Sequence, residues 1–201
     1  MWNYIKKDFL FTRKWVGISV AYCVLVSIIA IRDNTNLGFF VYFLIPFFVV
    51  QLPLNKVLSM EDNKDTREFL KRMPQKGNVR VLARVCFIAI LLFFSMLTIF
   101  LIQVAMNHPD KISEWVGTSI IISLIFMVYF LLELNLFYYK SFHLAQNSVV
   151  FVAMAAMVVS FALKNLDIHI NILSVSRGVV ITILLIANII LYFSACMYEK
   201  K

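Results

Sequence analysis

The stretch SMEDNKDTREFLKRMPQKGNVRVLAR, residues 59–84, decides how the rest of the sequence is interpreted. It is polar, it lies between hydrophobic runs long enough to cross a bilayer, and it carries seven of the chain's nineteen Lys and Arg residues. Eight charged side chains surround three apolar residues, Phe69, Leu70 and Met73, and Pro74 ends the segment. This pattern is typical of a short surface helix with an apolar edge, suited to docking against a soluble partner.

The composition of the whole chain indicates a membrane protein. Of its 201 residues, 62% are hydrophobic and 15% are charged, whereas a soluble domain is about half apolar and a quarter charged. Four or more hydrophobic runs approach or exceed the length that crosses about 30 Å of hydrocarbon. The sequence therefore predicts an all-α, polytopic membrane domain over residues 15–201, without a cleaved signal peptide. The six predicted spans are 15–31, 37–58, 85–106, 115–139, 146–163 and 178–198.

Residues 1–14 are predicted to form an amphipathic helix that lies in the membrane interface, ahead of the first span. Trp2, Ile5 and Phe9 share one face of such a helix. The basic side chains of the other face reach lipid headgroups in this interpretation. These basic residues are Lys6, Lys7, Arg13 and Lys14.

The distribution of Lys and Arg predicts the orientation of the chain. If both termini are cytoplasmic, fifteen of these residues lie inside and four lie outside, which agrees with the positive-inside rule. This orientation places residues 59–84 in the cytoplasm. The net charge of +8 is then explained by basic residues that flank membrane spans, and it does not indicate a nucleic-acid partner.

A few polar residues fall inside the predicted spans, where an ionisable group is costly and marks a functional site by default. Glu133 and Asn135 lie near the end of the fourth span, and Gln51 lies in the second. Two interpretations of Glu133 stay open. It belongs to a substrate or proton site, or it is a carboxylate near the cytoplasmic interface that pairs with Lys140.

Sequence motifs for catalysis and metal binding are missing. The chain has no P-loop, nucleophile elbow, HExxH pair or dinucleotide fingerprint,. The three His and three Cys residues form no cluster with metal-ligand spacing,. We therefore expect no metal site, no cofactor and no catalytic residue on this chain. Any energy for transport must then come from another polypeptide or from an ion gradient.

The order of these parts resembles a type 2 ABC transporter permease of the compact six-span kind. The amino-terminal YIKKDFLFTRKW is similar to the family's elbow helix, and LLELNLFYYKSFHLAQNSVVF is similar to its fourth-span exit and cytoplasmic turn. The sharpest similarity lies in residues 59–84, which look like the loop that carries the coupling helix. The residues that match this loop are Glu61, Asp62, Arg67, Phe69, Leu70, Met73 and Pro74. The residue before Pro74 is bulkier than the family's usual small residue.

The resemblance implies a mechanism with several subunits. Two permease subunits, identical or similar, form the pathway, and two cytoplasmic ATPase subunits that bind ATP and Mg²⁺ drive it. The apolar edge of the coupling helix docks in a groove on the ATPase, and Trp2, Ile5 and Phe9 have a smaller interfacial role. Compact members of the family export amphipathic peptides such as bacteriocins and phenol-soluble modulins, or give immunity to them.

Three other functions compete with this one. An ion-coupled secondary transporter requires repeats or charges at the membrane midplane, and Glu133 is the one acid well inside a predicted span. An intramembrane enzyme requires two converging ionisable groups, for which Glu133 and His143 are the candidates. A membrane scaffold that does not transport would keep the docking loop and lack a pathway.

Overall fold

The computed structural model of the chain describes residues 2–32, 38–63, 66, 68, 77–105, 112–148 and 177–199. These residues form an all-helical bundle, as the sequence predicts. The five long helices are α1 (Trp2–Arg32), α2 (Gly38–Glu61), α3 (Gly77–Ala105), α4 (Ile112–Tyr139) and α6 (Arg177–Glu199). A short α5 covers residues 142–148.

Four of these helices are long and apolar enough to cross a membrane, so the chain is a multi-pass membrane protein. The candidate spans are Trp2–Val26, Gly77–Leu101, Val116–Tyr139 and Arg177–Glu199. The prediction of six spans stays a prediction. α2 covers nearly all of the predicted second span, and the predicted fifth span, 146–163, lies outside the described residues beyond residue 148.

α1 is one continuous helix, and it includes both the predicted interfacial segment and the predicted first span. No proline interrupts it, and on either side of residue 14 a hydroxyl group bonds to the carbonyl one turn before it. The Thr12 hydroxyl donates to the Asp8 carbonyl at 2.6 Å, and the Ser19 hydroxyl donates to the Trp15 carbonyl at 2.8 Å. The apolar span and the amphipathic segment therefore continue into each other without the boundary that the sequence predicts between them.

The packing divides the long helices into two sets. α1 packs most extensively against α2 and α3, whereas α4 packs most extensively against α6. Aromatic side chains join the two sets where α2 meets α4. The Phe47 ring lies 5.7 Å from that of Tyr129 and 6.4 Å from that of Phe130, between ring centroids. The core thus lies where α2, α3 and α4 meet.

α2 contains two buried prolines, Pro46 and Pro53, inside its helical span. Proline removes a backbone hydrogen bond and disfavours a straight helix, but in a membrane helix the neighbouring helices compensate for this loss. Tight packing around α2 agrees with this. Val49, Val50 and Leu54 each have no exposed surface.

Candidate functional site

Four charged side chains meet where α1, α2 and α3 come together, and we call Lys7, Asp8, Glu61 and Arg84 the charge cluster. The Arg84 guanidinium reaches two helices at once. Its Nη1 lies 2.7 Å from Asp8 Oδ2 on α1, and its Nη2 pairs with Glu61 Oε1 at the end of α2. Lys7 Nζ donates to the same Glu61 oxygen at 3.2 Å. One arginine on α3 therefore connects α1 to the end of α2.

The charge cluster is electrically neutral, and three of its four side chains are largely buried. The side chains of Asp8 and Arg84 are 2% and 4% exposed, and that of Glu61 is 12% exposed. Burial raises the pKa of Glu61, but the positive charges of Arg84 and Lys7 outweigh this effect and hold the pKa below its usual value,. Glu61 is therefore charged at neutral pH, and its charge is shared with two cations.

A second ion pair ties the end of α6 to the start of α3. Arg80 Nη2 lies 2.5 Å from Glu199 Oε1. The carboxylate also rests against Gly77, where an added Cβ would overlap it. The rings of Tyr139 and Tyr198 meet nearby, 5.3 Å apart between centroids. The beginning of α1, the end of α2, the start of α3 and the ends of α4 and α6 thus lie at the same end of the bundle.

The residues predicted to couple the chain to an ATPase are only partly described. Glu61 pairs with Arg84 and Lys7 in the charge cluster. Asp62 extends the last turn of α2, because its backbone N–H donates to the Leu58 carbonyl at 2.9 Å. Thr66 and Glu68 are helical, and the coupling helix stays a prediction. The other predicted coupling residues lie outside the described part of the chain. They are Arg67, Phe69, Leu70, Met73 and Pro74.

The predicted interfacial residues of α1 do not share one environment. Trp2 is 69% exposed, whereas Ile5 is 3% exposed and packs beside Ala83 of α3. Phe9 packs edge-on against Phe87, with ring centroids 4.8 Å apart. The apolar face of this segment therefore covers α3, and Trp2 alone of the three faces outward.

Sequence reasoning missed the charge cluster. Lys7 was expected to reach lipid headgroups, Glu61 to face a partner, and Asp8 was given no role. One signal was available. Asp8 is the only acidic residue in α1, and it lies between Ile5 and Phe9 on the face that the structure buries. A lone acid on the apolar face of a membrane-bound helix commonly pairs with a polar or charged group on a neighbouring helix.

The predicted pathway residues do not form one site, because Glu133 faces α2, where Gln51 lies, and Asn135 faces α6. Glu133 has no exposed surface, and its Oε1 accepts a hydrogen bond from Gln51 Nε2 on α2 at 2.9 Å. The amide of Gln51 also donates to Asn55 Oδ1 at 3.1 Å. Asn135 instead faces α6, because its Nδ2 donates to the Leu191 carbonyl at 3.0 Å. The structure thus brings Gln51 to Glu133 and leaves Asn135 apart from both.

Within the described residues, Glu133 binds no cationic side chain. No described group donates to its Oε2, and its partner is the neutral Gln51 amide rather than Lys140. Three His, Cys, Asp or Glu side chains do not come together as metal ligands anywhere in the described ranges. His143 is exposed while Glu133 is buried, so these two groups are in different environments.

An open apolar groove of about 450 Å³ lies between α3 and α4, in the parts of these helices that are remote from the charge cluster. Two serines of α4 belong to its lining, Ser119 and Ser123. The Ser123 hydroxyl donates to the Ser119 carbonyl of the same helix at 2.8 Å. The groove has no charged lining residue and suits an apolar chain. Its lining includes Phe93, Met96, Leu97, Ile120, Ser123 and Met127.

The comparison with protein families gives one result that covers almost the whole chain. A family model described as ABC-2 family transporter protein matches residues 3–198. No curated protein and no solved structure matches the chain significantly. The match includes α1, the charge cluster, the loop between α2 and α3, and α6.

Proposed function

Since this chain belongs to the ABC-2 transporter family and is a permease subunit of an ABC transporter, we propose that it forms the membrane pathway of an exporter for amphipathic or antimicrobial peptides. The export of such a peptide also gives immunity to it. The observation that carries the proposal is the family match over residues 3–198, because members of this family associate with a membrane and with an ABC ATPase.

The loop between α2 and α3 is the proposed site of ATPase docking. It begins directly after Glu61 and ends at Gly77, so it connects two helix ends that the charge cluster holds together. Helical geometry at Thr66 and Glu68 supports a coupling helix in this loop. Its apolar residues Phe69 and Leu70 enter a groove on the ATPase, while the surrounding charges set orientation and association rate.

The proposed assembly contains two permease subunits and two cytoplasmic ATPase subunits in the cell membrane. ATP and Mg²⁺ bind to the ATPase, and this chain has no catalytic role. Both termini are cytoplasmic in this proposal. Support for the orientation comes from the excess of Lys and Arg on that side and from the position of both helix termini at the end of the bundle where the loop begins,.

The proposed substrate class is supported by the groove between α3 and α4. An amphipathic peptide has an apolar face that prefers the membrane interior, and the groove offers an uncharged surface within the candidate spans. Glu133 and Gln51 provide one polar position deeper in the bundle. An apolar substrate would contact the groove and leave this polar pair undisturbed.

The docking assignment is tested by the double substitution Phe69→Asp and Leu70→Asp in a complex reconstituted with its ATPase. We expect loss of ATP-driven transport with normal membrane insertion, because two carboxylates cannot enter an apolar groove without a large desolvation cost. Lys71→Asp is the matched control, since it changes the loop charge by the same amount at a position opposite to Phe69 and Leu70 on the predicted coupling helix,. Wild-type coupling in the double variant would show that the docking site lies elsewhere.

One observation favours a second candidate, an ion-coupled secondary transporter. Glu133 is buried and has no cationic partner among the described residues, as expected for a group that binds a transported proton. Glu133→Gln separates the candidates when transport is measured with a proton gradient and with ATP. The secondary transporter loses its proton dependence in this variant, whereas the ATP-driven exporter keeps its dependence on ATP. A non-transporting scaffold shows neither activity.

A further inference from the structure

We infer that the charge cluster joins α1, the end of α2 and the start of α3 into one rigid unit that moves with the docking loop, so that Asp8 and Arg84 are positioning residues for transport. The inference rests on the proposed function, because it presupposes that an ATPase docks on the loop between α2 and α3 and moves it. It adds a role for α1, which is not adjacent to the loop in the sequence. Movement of the loop would otherwise displace only α2 and α3.

The geometry of Arg84 supports this role. A guanidinium is planar and holds its donors in a fixed fork, and here the two ends of the fork contact carboxylates on different helices, Asp8 and Glu61. Rotation of α1 relative to α2 would therefore break at least one of the two ion pairs. On either side of Lys7 and Asp8 in the sequence, Ile5 and Phe9 pack against α3 and extend the contact over more than one turn of α1.

Stability alone does not account for such a cluster. Buried ion pairs gain little over well-packed apolar residues, because removing charges from water costs about as much as their attraction returns. Apolar side chains at these positions would hold the helices together as well, but with less defined relative positions. The charge cluster therefore fixes geometry, and it does so where two helix ends lead into the docking loop.

This unit contacts the rest of the bundle through aromatic and apolar side chains as well as polar groups. The second set of helices, α4 and α6, is held together by Asn135, which bonds to the Leu191 carbonyl, and by Asn188, which bonds to the Leu124 carbonyl at 3.3 Å. Among the described residues, Gln51 bonds to Glu133 and Arg80 pairs with Glu199 between the two sets. Between α3 and α4 the groove separates the sets, so rotation of the first unit would change the width of the groove.

The experiment measures this width. Spin labels at Phe93 on α3 and Ile120 on α4, in a chain whose native cysteines are replaced, report the distance across the groove in the reconstituted complex with and without ATP. Transport per ATP hydrolysed is measured in the unlabelled complex. The variants are Arg84→Lys, which keeps the charge but loses the fork, and the triple variant Asp8→Asn, Glu61→Gln, Arg84→Gln, which removes Arg84 with both of its partners and leaves Lys7 as the one charge of the cluster. Arg13→Lys is the matched control, because Arg13 is an exposed arginine on α1.

We expect both cluster variants to bind and activate the ATPase, to lose the ATP-dependent change in distance, and to move about tenfold less substrate per ATP, within the usual range of coupling between sites. Arg13→Lys should behave as wild type. A cluster variant that folds, hydrolyses ATP and shows the wild-type distance change would overturn the inference. Failure of the wild-type chain to bind any ATPase would instead refute the proposed function. If the triple variant does not fold, Arg84→Lys alone decides, since it retains the charge balance.

Discussion

The two ends of the helix bundle hold their helices together by different forces. At the end where the loop between α2 and α3 begins, Arg84 pairs with Asp8 and Glu61, and Arg80 pairs with Glu199. At the other end, α3 and α4 face each other across an uncharged groove. An ion pair joins two particular side chains, whereas apolar contacts are not directional. The first end therefore fixes the relative positions of the helices, and the second end tolerates repacking of its side chains.

The largest effect is expected for Arg84→Met. This substitution leaves Asp8 and Glu61 buried with only Lys7 as a cation, and uncompensated buried charge costs about 3–5 kcal/mol. The measurement is the free energy of unfolding in detergent. Lys7→Met is the companion variant. Because Lys7 is 31% exposed, its loss should cost about 1 kcal/mol or less. Equal effects of the two variants would contradict the view that Arg84 holds this end together.

A smaller effect is expected for Gly77→Ala, with Gly17→Ala as its control. Alanine favours a helix over glycine by about 1 kcal/mol, and nothing lies near Gly17 to oppose this gain. At Gly77 the new methyl group overlaps the carboxylate of Glu199, which Arg80 holds in place. Gly17→Ala should therefore raise the melting temperature, whereas Gly77→Ala should leave it unchanged or lower it. A gain at both positions would show that the Arg80–Glu199 contact yields easily.

The groove predicts a contrast between stability and transport. Ser123→Phe fills the groove, and it removes only a hydrogen bond to the carbonyl one turn before, on the same helix. Thr182→Phe on α6 removes the same kind of bond, to the Gly178 carbonyl, at an exposed position. Both variants should change the unfolding free energy by about 0.5 kcal/mol or less. Substrate export should fall only for Ser123→Phe. Unchanged export in both would separate the groove from the transport pathway.

The smallest effect concerns pH. The pKa of Glu61 in the folded chain lies below its usual value of 4.5, so its stabilising contribution is present above that value and is lost as the pH falls through the lower, folded-state pKa. The difference in unfolding free energy between the wild type and Glu61→Gln should then stay constant between about pH 8 and pH 5.5 and shrink in more acidic solution. A difference that shrinks already near neutral pH would mean that Glu61 is not paired as described.

The sequence predicted the parts of this molecule that depend on composition and on runs of residues. Its hydropathy identified an all-helical membrane protein, and the resemblance carried by residues 59–84 identified the family that the comparison confirms. The long α1 escaped prediction, because the change from an amphipathic to an apolar pattern at residue 15 indicates a boundary only when a helix breaker accompanies it. A change in the hydrophobic pattern therefore does not by itself show that a helix ends.

The partners of the polar residues could not be predicted, since they depend on which helix faces contact each other in the folded bundle. Gln51 and Glu133 are 82 residues apart. Asp8 follows Lys7 in the sequence, yet its shorter ion pair is with Arg84 on α3. Asn135 shows the same limit, because its proximity to Glu133 along the chain suggested a shared site, yet it faces α6. Only the rotation of each helix about its axis decides these contacts.

The contact between Glu199 and Arg80 has a consequence for biosynthesis. The ribosome makes α3 long before it makes the end of α6, so Arg80 has to wait in the nascent protein without this acidic partner. Early helices are thus expected to assemble through Arg84 and Asp8, and the last turn of α6 completes the structure afterwards. A product that stops short of residue 199 would therefore leave Arg80 without this carboxylate.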